Sequence, residues 1–265
     1  MNFIFLIKDL FAKSHILLEL VKSDFKNRYL GSYLGMVWPF VNPIITIGIF
    51  LFVFQFGFKN PPVDNVPFVI WLCSGMIPWF YFSETFSAGS NAFIEYSFLI
   101  KKLSFRVSLI PLIKVFSNLI VHIFFIFLLL IILLLHGYTP NLFWLQYFYY
   151  LFCMVSLLIG LSWFSASIMI FIKDVGNLIG ILIQFGFWLT PIFWNISFLP
   201  EKFRFYILLN PVTYIVLGFR DTFIYHHWFW ENIPTFISFW IINTTILGLG
   251  LVVFKKTRPH FGDVL

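Results

Sequence analysis

The sequence predicts an all-α integral membrane protein with six transmembrane helices, a surface helix before them and a re-entrant helical hairpin before the last span. Hydrophobic residues make up 60% of the 265 residues and charged residues only 11%, whereas soluble domains average about 45–50% apolar and about 25% charged residues. The mean hydropathy is +0.93. The apolar residues, including 39 phenylalanines, form runs that reach the roughly 20 residues a helix needs to cross a bilayer.

The first 34 residues are predicted to form an amphipathic helix on the membrane surface. Between residues 3 and 30, apolar residues recur at helical spacing with lysines and acids between them, which is typical of a helix whose basic side faces anionic headgroups. These apolar residues are Phe3, Leu6, Ile7, Leu10, Phe11, Ile16, Leu20 and Val21. The helix is either a plain anchor or an element that docks a partner or guides an amphipathic substrate inward.

Residues 35–265 are predicted to form the transmembrane domain. Long apolar runs bounded by charged or turn residues predict spans at about 35–58, 66–90, 109–135, 142–170, 175–198 and 234–254. The tract that follows the fifth run mixes apolar residues with charges and prolines, which favours a re-entrant or interfacial hairpin at about 199–225. The first run has no small-residue cleavage site before it, so we expect it to remain as an anchor.

The distribution of basic residues predicts that both termini are cytoplasmic. With six spans, 12 of the 17 lysines and arginines fall on the side of the termini and four on the other side. The four are Lys59, Lys202, Arg204 and Arg220. Because cytoplasmic loops carry the excess of basic residues, the richer side is assigned to the cytoplasm. The net charge of +6 is therefore attributed to topology rather than to nucleic-acid binding.

Catalytic and nucleotide-binding motifs are missing from the sequence. It contains no GxxxxGK[ST] phosphate loop and no HExxH, GxSxG or paired-cysteine zinc pattern. If ATP drives this protein, a partner chain must bind the ATP and Mg²⁺, so we expect no cofactor, no metal and no catalytic residues here. Cys73 and Cys153 each lie inside an apolar run and are expected to be buried free thiols.

Two ionisable residues other than histidine lie well inside predicted spans, namely Glu84 in the second and Lys114 in the third. Each lies about six residues from the cytoplasmic end of its run, which gives both a depth of about 9 Å. We therefore expect an intramembrane Glu84–Lys114 pair that holds two helices in register, with a proton relay as the alternative. His122, in the third span, is expected to be a packing residue.

The cytoplasmic connection 91–106, NAFIEYSFLIKKLSFR, is compatible with a helix and places charged residues beside bulky apolar ones. It is longer and more amphipathic than orientation alone requires. It is either a plain basic loop or a docking helix for a cytoplasmic protein.

Five segments, in order along the chain, resemble the ABC-2 type permeases that export O-antigen, capsule and teichoic acid polysaccharides. They are RYLGSYLGMVWPFVNP at 28–43, KDVGN at 173–177, LTPIFW at 189–194, LNPVTYIVLGFRD at 209–221 and RPHFGDVL at 258–265. The resemblance implies a homodimer of this subunit bound to two copies of a cytoplasmic ATPase in a bacterial inner membrane. Its substrate would be a polysaccharide on a polyprenyl diphosphate carrier, most simply lipopolysaccharide O-antigen.

The resemblance also implies roles for individual segments. The surface helix and the docking loop 91–106 would contact the ATPase, and the hairpin at about 199–225 would gate the outer face. The residues expected to transmit the ATPase motion are Glu95, Tyr96, Lys101, Lys102 and Arg106. Aromatic side chains of the first and fifth spans resemble the channel lining, which makes Trp38, Phe187 and Trp188 candidates.

Three alternatives remain open from the sequence. Two of them are within the same class, namely a capsule or teichoic acid exporter and an ABC-2 exporter of small molecules. From a different class, a membrane-embedded transferase acting on lipid-linked sugar would need acids and histidines together at one face. The outer-face residues that qualify are Asp221, His226, His227 and Glu231.

Overall fold

The computed structural model describes residues 14–28, 35–59, 62–100 and 106–264. Helices dominate this part of the chain, and within it the only β pairing is one isolated bridge between Val63 and Val66. The predicted all-helical class is confirmed. Cys73 and Cys153 are both buried and free, as predicted.

Eleven α-helices lie in the described residues. They are α1 (Ser14–Arg28), α2 (Trp38–Leu51), α3 (Phe68–Glu95), α4 (Ser97–Ile100), α5 (Ile110–Leu135), α6 (Tyr147–Met169), α7 (Val175–Leu189), α8 (Glu201–Leu208), α9 (Pro211–Arg220), α10 (Ile233–Thr257) and α11 (Phe261–Val264). Short π-helical segments continue α2 over Phe52–Gly57 and α9 over Asp221–Tyr225. Short 3₁₀ turns lie at Gly35–Val37, Val107–Leu109, Leu142–Gln146, Ile196–Phe198 and Arg258–His260.

Four segments of the described chain are long and apolar enough to cross a membrane. They are Gly35–Gly57, Val107–Leu135, Leu142–Met169 and Ile233–Val264. The pair Glu201–Leu208 and Pro211–Tyr225, bent by 99° at its break, makes a fifth if it is counted as one span. The protein is therefore an integral membrane protein, while the count of six spans and the re-entrant form of the hairpin stay predictions.

Helix α3 occupies the centre of the bundle. It packs against α5, α6 and α9, and more lightly against α2 and α7, and 19 of its 28 residues are buried. A helix shielded from lipid by its neighbours can carry polar side chains, and the Ser90 hydroxyl meets that of Ser165 of α6 at 2.8 Å. This shielding explains why α3, although 28 residues long, is less apolar than the lipid-facing spans.

Two predicted span ends are wrong. Helix α3 continues to Glu95 instead of ending near residue 90, so the predicted docking segment begins inside this helix. Helix α7 ends at Leu189, well before residue 198. The cause is Pro191, because the residue before a proline is driven out of the helical region, and Thr190 has an extended ψ of 135°.

Helices α6 and α10 form the most extensive helix contact within the described residues. They approach each other at Gly160 and Gly250, where a Cβ atom added to Gly250 would lie 2.5 Å from the Gly160 carbonyl oxygen. Small residues allow this closeness, which increases dispersion contact where lipid gives no hydrophobic drive to association. Nearby, the Asn243 amide donates to the Ser156 hydroxyl over 2.8 Å.

Arg220 anchors the loop that follows α7. Its two terminal guanidinium nitrogens donate to the carbonyl oxygens of Pro191 and Ile192, each over 2.7 Å. The guanidinium also stacks 3.6 Å from the centroid of the Trp71 ring. These contacts fix the end of α7 to α3 and to the bent helix pair.

Candidate functional site

The described part of the surface helix packs one face against α5. Leu17 and Val21 are buried on that face, and Asp24, one turn further along, is only 3% exposed. The earlier residues of the predicted apolar pattern, at positions 3–11, lie outside the described residues. An acid on the buried face of a surface helix requires a cationic partner.

That partner is Lys114 of α5. Its ammonium donates to Asp24 Oδ1 and to Glu95 Oε1, each over 2.6 Å. The side chains of Asp24 and Lys114 are each 2% exposed, whereas that of Glu95 is 53% exposed. One buried ammonium therefore ties together α1, the C-terminal end of α3 and the start of α5.

Two more side chains complete this Asp24 cluster, which comprises Asp24, Arg28, Glu95, Tyr96 and Lys114. The Tyr96 hydroxyl donates to Asp24 Oδ1 over 2.6 Å, and Arg28 donates to Asp24 Oδ2 over 2.8 Å. Both carboxylate oxygens of Asp24 thus accept charge-assisted or short hydrogen bonds. Arg28 also donates to the side-chain oxygen of Asn118, which fastens α1 one turn deeper on α5.

The cluster changes the pKa values of Asp24 and Tyr96. Burial alone would raise the pKa of Asp24, but the hydrogen bonds from Lys114 and Tyr96 and the lysine charge outweigh it and lower that pKa. Burial and donation to the Asp24 carboxylate raise the pKa of Tyr96. At neutral pH the cluster therefore holds an ionised Asp24 and a protonated Tyr96.

The predicted Glu84–Lys114 pair is wrong, because Lys114 donates to Asp24 and Glu95 instead. The error comes from the end of α3. Since this helix continues to Glu95, it is Glu95 and not Glu84 that lies level with Lys114. Glu84 is exposed, three helical turns further into the bundle.

The predicted coupling residues have different positions. Glu95 and Tyr96 belong to the Asp24 cluster, at the end of α3. Arg106 is half-buried immediately before the turn that starts α5. Lys101 and Lys102 lie outside the described residues. No contact of the described chain tests a role in coupling, so that role stays a prediction.

The predicted channel residues divide between two places. Trp38 is 44% exposed and lines a cavity of about 480 Å³ between α2, α3 and α5. Phe187 and Trp188 lie at the far end of α7, where Phe187 packs against Phe50 and Phe193 with ring centroids 5.8 and 4.9 Å apart. The structure therefore does not bring the three residues together within one chain.

The residues that the sequence predicts at the outer face as transferase candidates are also divided. The His227 ring lies 3.0 Å from a Glu231 carboxylate oxygen, and both side chains are largely exposed. The Glu231 carboxylate also accepts from the Trp228 amide, and these bonds lower its pKa. His226 lies instead beside the Asn141 amide, at 2.8 Å. Within the described residues no group of acids, histidines and cysteines is arranged to hold a metal ion.

Sequence reasoning missed Asp24 as the centre of the cluster. A signal was present, because Asp24 continues the stripe formed by Leu17 and Val21 at spacings of four and three residues. Because only apolar residues were included in that stripe, Asp24 was assigned to the polar side of the helix.

Comparison with known proteins gives one family and several relatives. The model of the family described as ABC-2 type transporter matches residues 16–224. Two proteins of Klebsiella pneumoniae, each named O-antigen export system permease protein RfbA, are 28% and 27% identical to the chain, over 94% of it and 95% of each relative. A protein of that name from Myxococcus xanthus is 22% identical, over 97% of the chain and 98% of the relative.

Proposed function

This chain belongs to the ABC-2 type transporter family, and from that premise we propose that it is the membrane-spanning permease of an ABC exporter. Its substrate is a polysaccharide linked to polyprenyl diphosphate, most simply lipopolysaccharide O-antigen, which it carries across a bacterial inner membrane. The observation that carries this proposal is the extent of the likeness, since three O-antigen export permeases align with 94–97% of the chain.

The energy source in this proposal is a separate ATPase. The sequence has no Walker A loop, so ATP and Mg²⁺ bind to a partner chain. Two permease subunits pair around the channel, and two copies of the ATPase bind beneath them. In the proposed homodimer, Trp38 of one subunit and Phe187 and Trp188 of the other line one shared channel.

The Asp24 cluster supports the cytoplasmic end of this arrangement. It links the surface helix, the end of α3 and the start of α5 through one buried lysine. A displacement of the segment that follows Glu95 would therefore be transmitted to α1 and α5 together. On this proposal Glu95, Tyr96, Lys101, Lys102 and Arg106 pass the motion of the ATPase into the membrane domain.

The topology belongs to the same proposal. Both termini are cytoplasmic because the basic residues concentrate on their side, and six crossings place the bent pair α8–α9 at the outer face. There α8–α9 acts as a re-entrant gate, with its position fixed by Arg220.

Purification of the tagged chain from its host tests the proposal. The chain is solubilised in a mild detergent that preserves known membrane complexes, and the co-purifying proteins are identified by mass spectrometry. We expect a cytoplasmic ATPase with a Walker A loop in equal amount, and loss of surface O-antigen when the permease gene is deleted. Unchanged surface O-antigen after deletion would contradict the assigned substrate.

A further inference from the structure

One face of α3 borders open space instead of packed side chains. Residues on this face recur at spacings of three and four positions and line two cavities, of about 480 and 460 Å³, which share Glu84. These residues are Ile77, Phe80, Tyr81, Glu84, Ser87, Ala88, Asn91, Ile94 and Glu95. We name the two cavities together the α3 groove. Each has a volume within the range of about 300–1,000 Å³ that is common for ligand sites.

The lining of the α3 groove changes along its length. Near the cytoplasmic end it is charged and polar, with Asn91, Glu95 and Lys114. Further in, the walls are aromatic and apolar, with Trp38 and Pro43 from α2 and Phe80 and Tyr81 from α3. This order suits an amphipathic ligand whose polar group enters from the headgroup region.

Glu84 has an unusual position in this groove. It precedes Glu95 by eleven residues, which places it about 16 Å further along the helix axis. Since Glu95 lies level with the surface helix, Glu84 lies inside the apolar part of the bundle. It is exposed, and its carboxylate forms no hydrogen bond or ion pair within the described part of the chain.

An unused hydrogen-bonding group lies opposite Glu84. Asn118 and His122 of α5 line the same cavity and are 6% and 3% exposed. The Asn118 amide nitrogen has no hydrogen-bond partner among the described residues. An intramembrane acid that shares a cavity with a buried, unpaired amide indicates a polar ligand or water, because isolated groups of this kind are costly in lipid.

The charges around the groove determine the class of ligand. The cations Arg28 and Lys114 are already paired with Asp24 and Glu95, so the further carboxylate of Glu84 makes the groove unfavourable for a phosphate. An ammonium group would suit Glu84 but offers no acceptor for the Asn118 amide. A sugar hydroxyl both donates and accepts, and aromatic faces such as Trp38 offer a stacking surface.

We propose that the α3 groove binds an uncharged sugar unit of a membrane-borne glycolipid, with Glu84 accepting and Asn118 donating hydrogen bonds to its hydroxyls. This inference rests on the proposed function in one respect, which is that the exported lipid-linked glycan is the source of the sugar. The groove lies between α2, α3 and α5 of a single chain, and so it exists before any dimer forms.

The test uses the full chain in a polyoxyethylene detergent, which has no sugar. Surfactants with identical twelve-carbon tails and maltoside, phosphocholine or trimethylammonium heads are added in trace amounts, and bound molecules are counted by native mass spectrometry. We expect the maltoside to bind most tightly. Glu84→Gln keeps the size of the side chain but replaces one acceptor oxygen by an NH₂ donor, so it should weaken maltoside binding by about tenfold.

Glu201→Gln is the matched control, because Glu201 is exposed on α8 and is not among the groove residues, so maltoside binding should be unchanged. Trp38→Ala should weaken maltoside binding through loss of the stacking face. Equal binding of all three surfactants, or equal maltoside binding by Glu84→Gln and wild type in proteins with the same gel-filtration profile, would overturn the inference.

The source of the sugar is determined by purifying wild-type protein from cells that make the lipid-linked glycan and from cells that cannot initiate it. A glycolipid of the carrier's mass, bound only in the first case and reduced in Glu84→Gln, supports the exported substrate as ligand. A bound glycolipid in both cases would overturn that link while retaining the sugar site. Failure of the proposed function is seen separately, as surface glycan that persists when the permease gene is deleted.

Discussion

At the scale of single residues, Lys114 has the largest predicted effect on stability. Replacing it by methionine removes one of the two cations that pair with the buried Asp24 carboxylate and leaves Arg28 as the other, so we expect Lys114→Met to lower the free energy of unfolding by about 3 kcal/mol. Lys22→Met is the control, because the Lys22–Glu19 pair is exposed at 71% and 58% and should contribute at most about 1 kcal/mol. Unfolding titrated with sodium dodecyl sulfate measures both. Equal losses for the two variants would contradict a buried ion pair.

The Asp24 titration predicts how stability depends on pH. The folded pKa of Asp24 lies below its ordinary value of about 3.9, so its ionised form favours folding above that value. This contribution is lost as the pH falls through the lower, folded pKa. We expect the difference in Tm between wild type and Asp24→Asn to be largest at neutral pH and to shrink below about pH 4. A difference that stays constant or grows in acid would contradict the ionised Asp24.

Residue roles were the least predictable part of the sequence. The sequence identified Lys114 as an intramembrane cation but assigned it Glu84, because the position of a partner depends on where the neighbouring helix ends. The helix continues five residues past its predicted end, and the acid that reaches Lys114 is Glu95, eleven residues after Glu84. Asp24, from a separate helix, could be paired with Lys114 only after the tertiary packing of α1 on α5 was known.

At the scale of elements, the packing of α6 on α10 gives a prediction with an internal control. A Cβ atom at Gly250 would meet the Gly160 carbonyl, whereas one at Gly248 would meet nothing within 4 Å. We expect Gly250→Ala to destabilise the protein by about 1–3 kcal/mol through overpacking. Gly248→Ala should be neutral or more stable by up to about 1 kcal/mol, since alanine favours a helix over glycine. Thermal unfolding in detergent compares them, and similar Tm values would contradict the close helix contact.

Helices were more predictable than their ends. Long apolar runs identified α2, α5, α6 and α10 because lipid demands apolar side chains along the full length of an exposed span. The end of α7 was missed although Pro191 marks it, since the apolar residues after the proline continue the hydropathy signal. The length of α3 was underestimated because its polar C-terminal end resembles a loop in sequence when its burial among other helices is unknown.

At the scale of the whole molecule, fold and family could be inferred from sequence, but the assembly depends on chains outside this one. Composition alone indicated the membrane, and motifs spread from residue 28 to the end of the chain indicated the family. Within one chain, Trp38 lies apart from Phe187 and Trp188. The channel proposed above, shared by two subunits, cannot be derived from the hydropathy of either.

Coupling to the ATPase gives the last prediction. Changing Lys101 and Lys102 to glutamate reverses the charge of the segment that follows the Asp24 cluster. We expect normal membrane insertion but loss of ATPase stimulation and of surface glycan, because the reversed charges would repel the ATPase at the proposed docking contact. Reversal of Lys255 and Lys256 is the matched control, since this pair is exposed at the end of α10 and contributes the same charge to topology. If both double variants export equally well, residues 91–106 are a topological signal and the ATPase docks elsewhere.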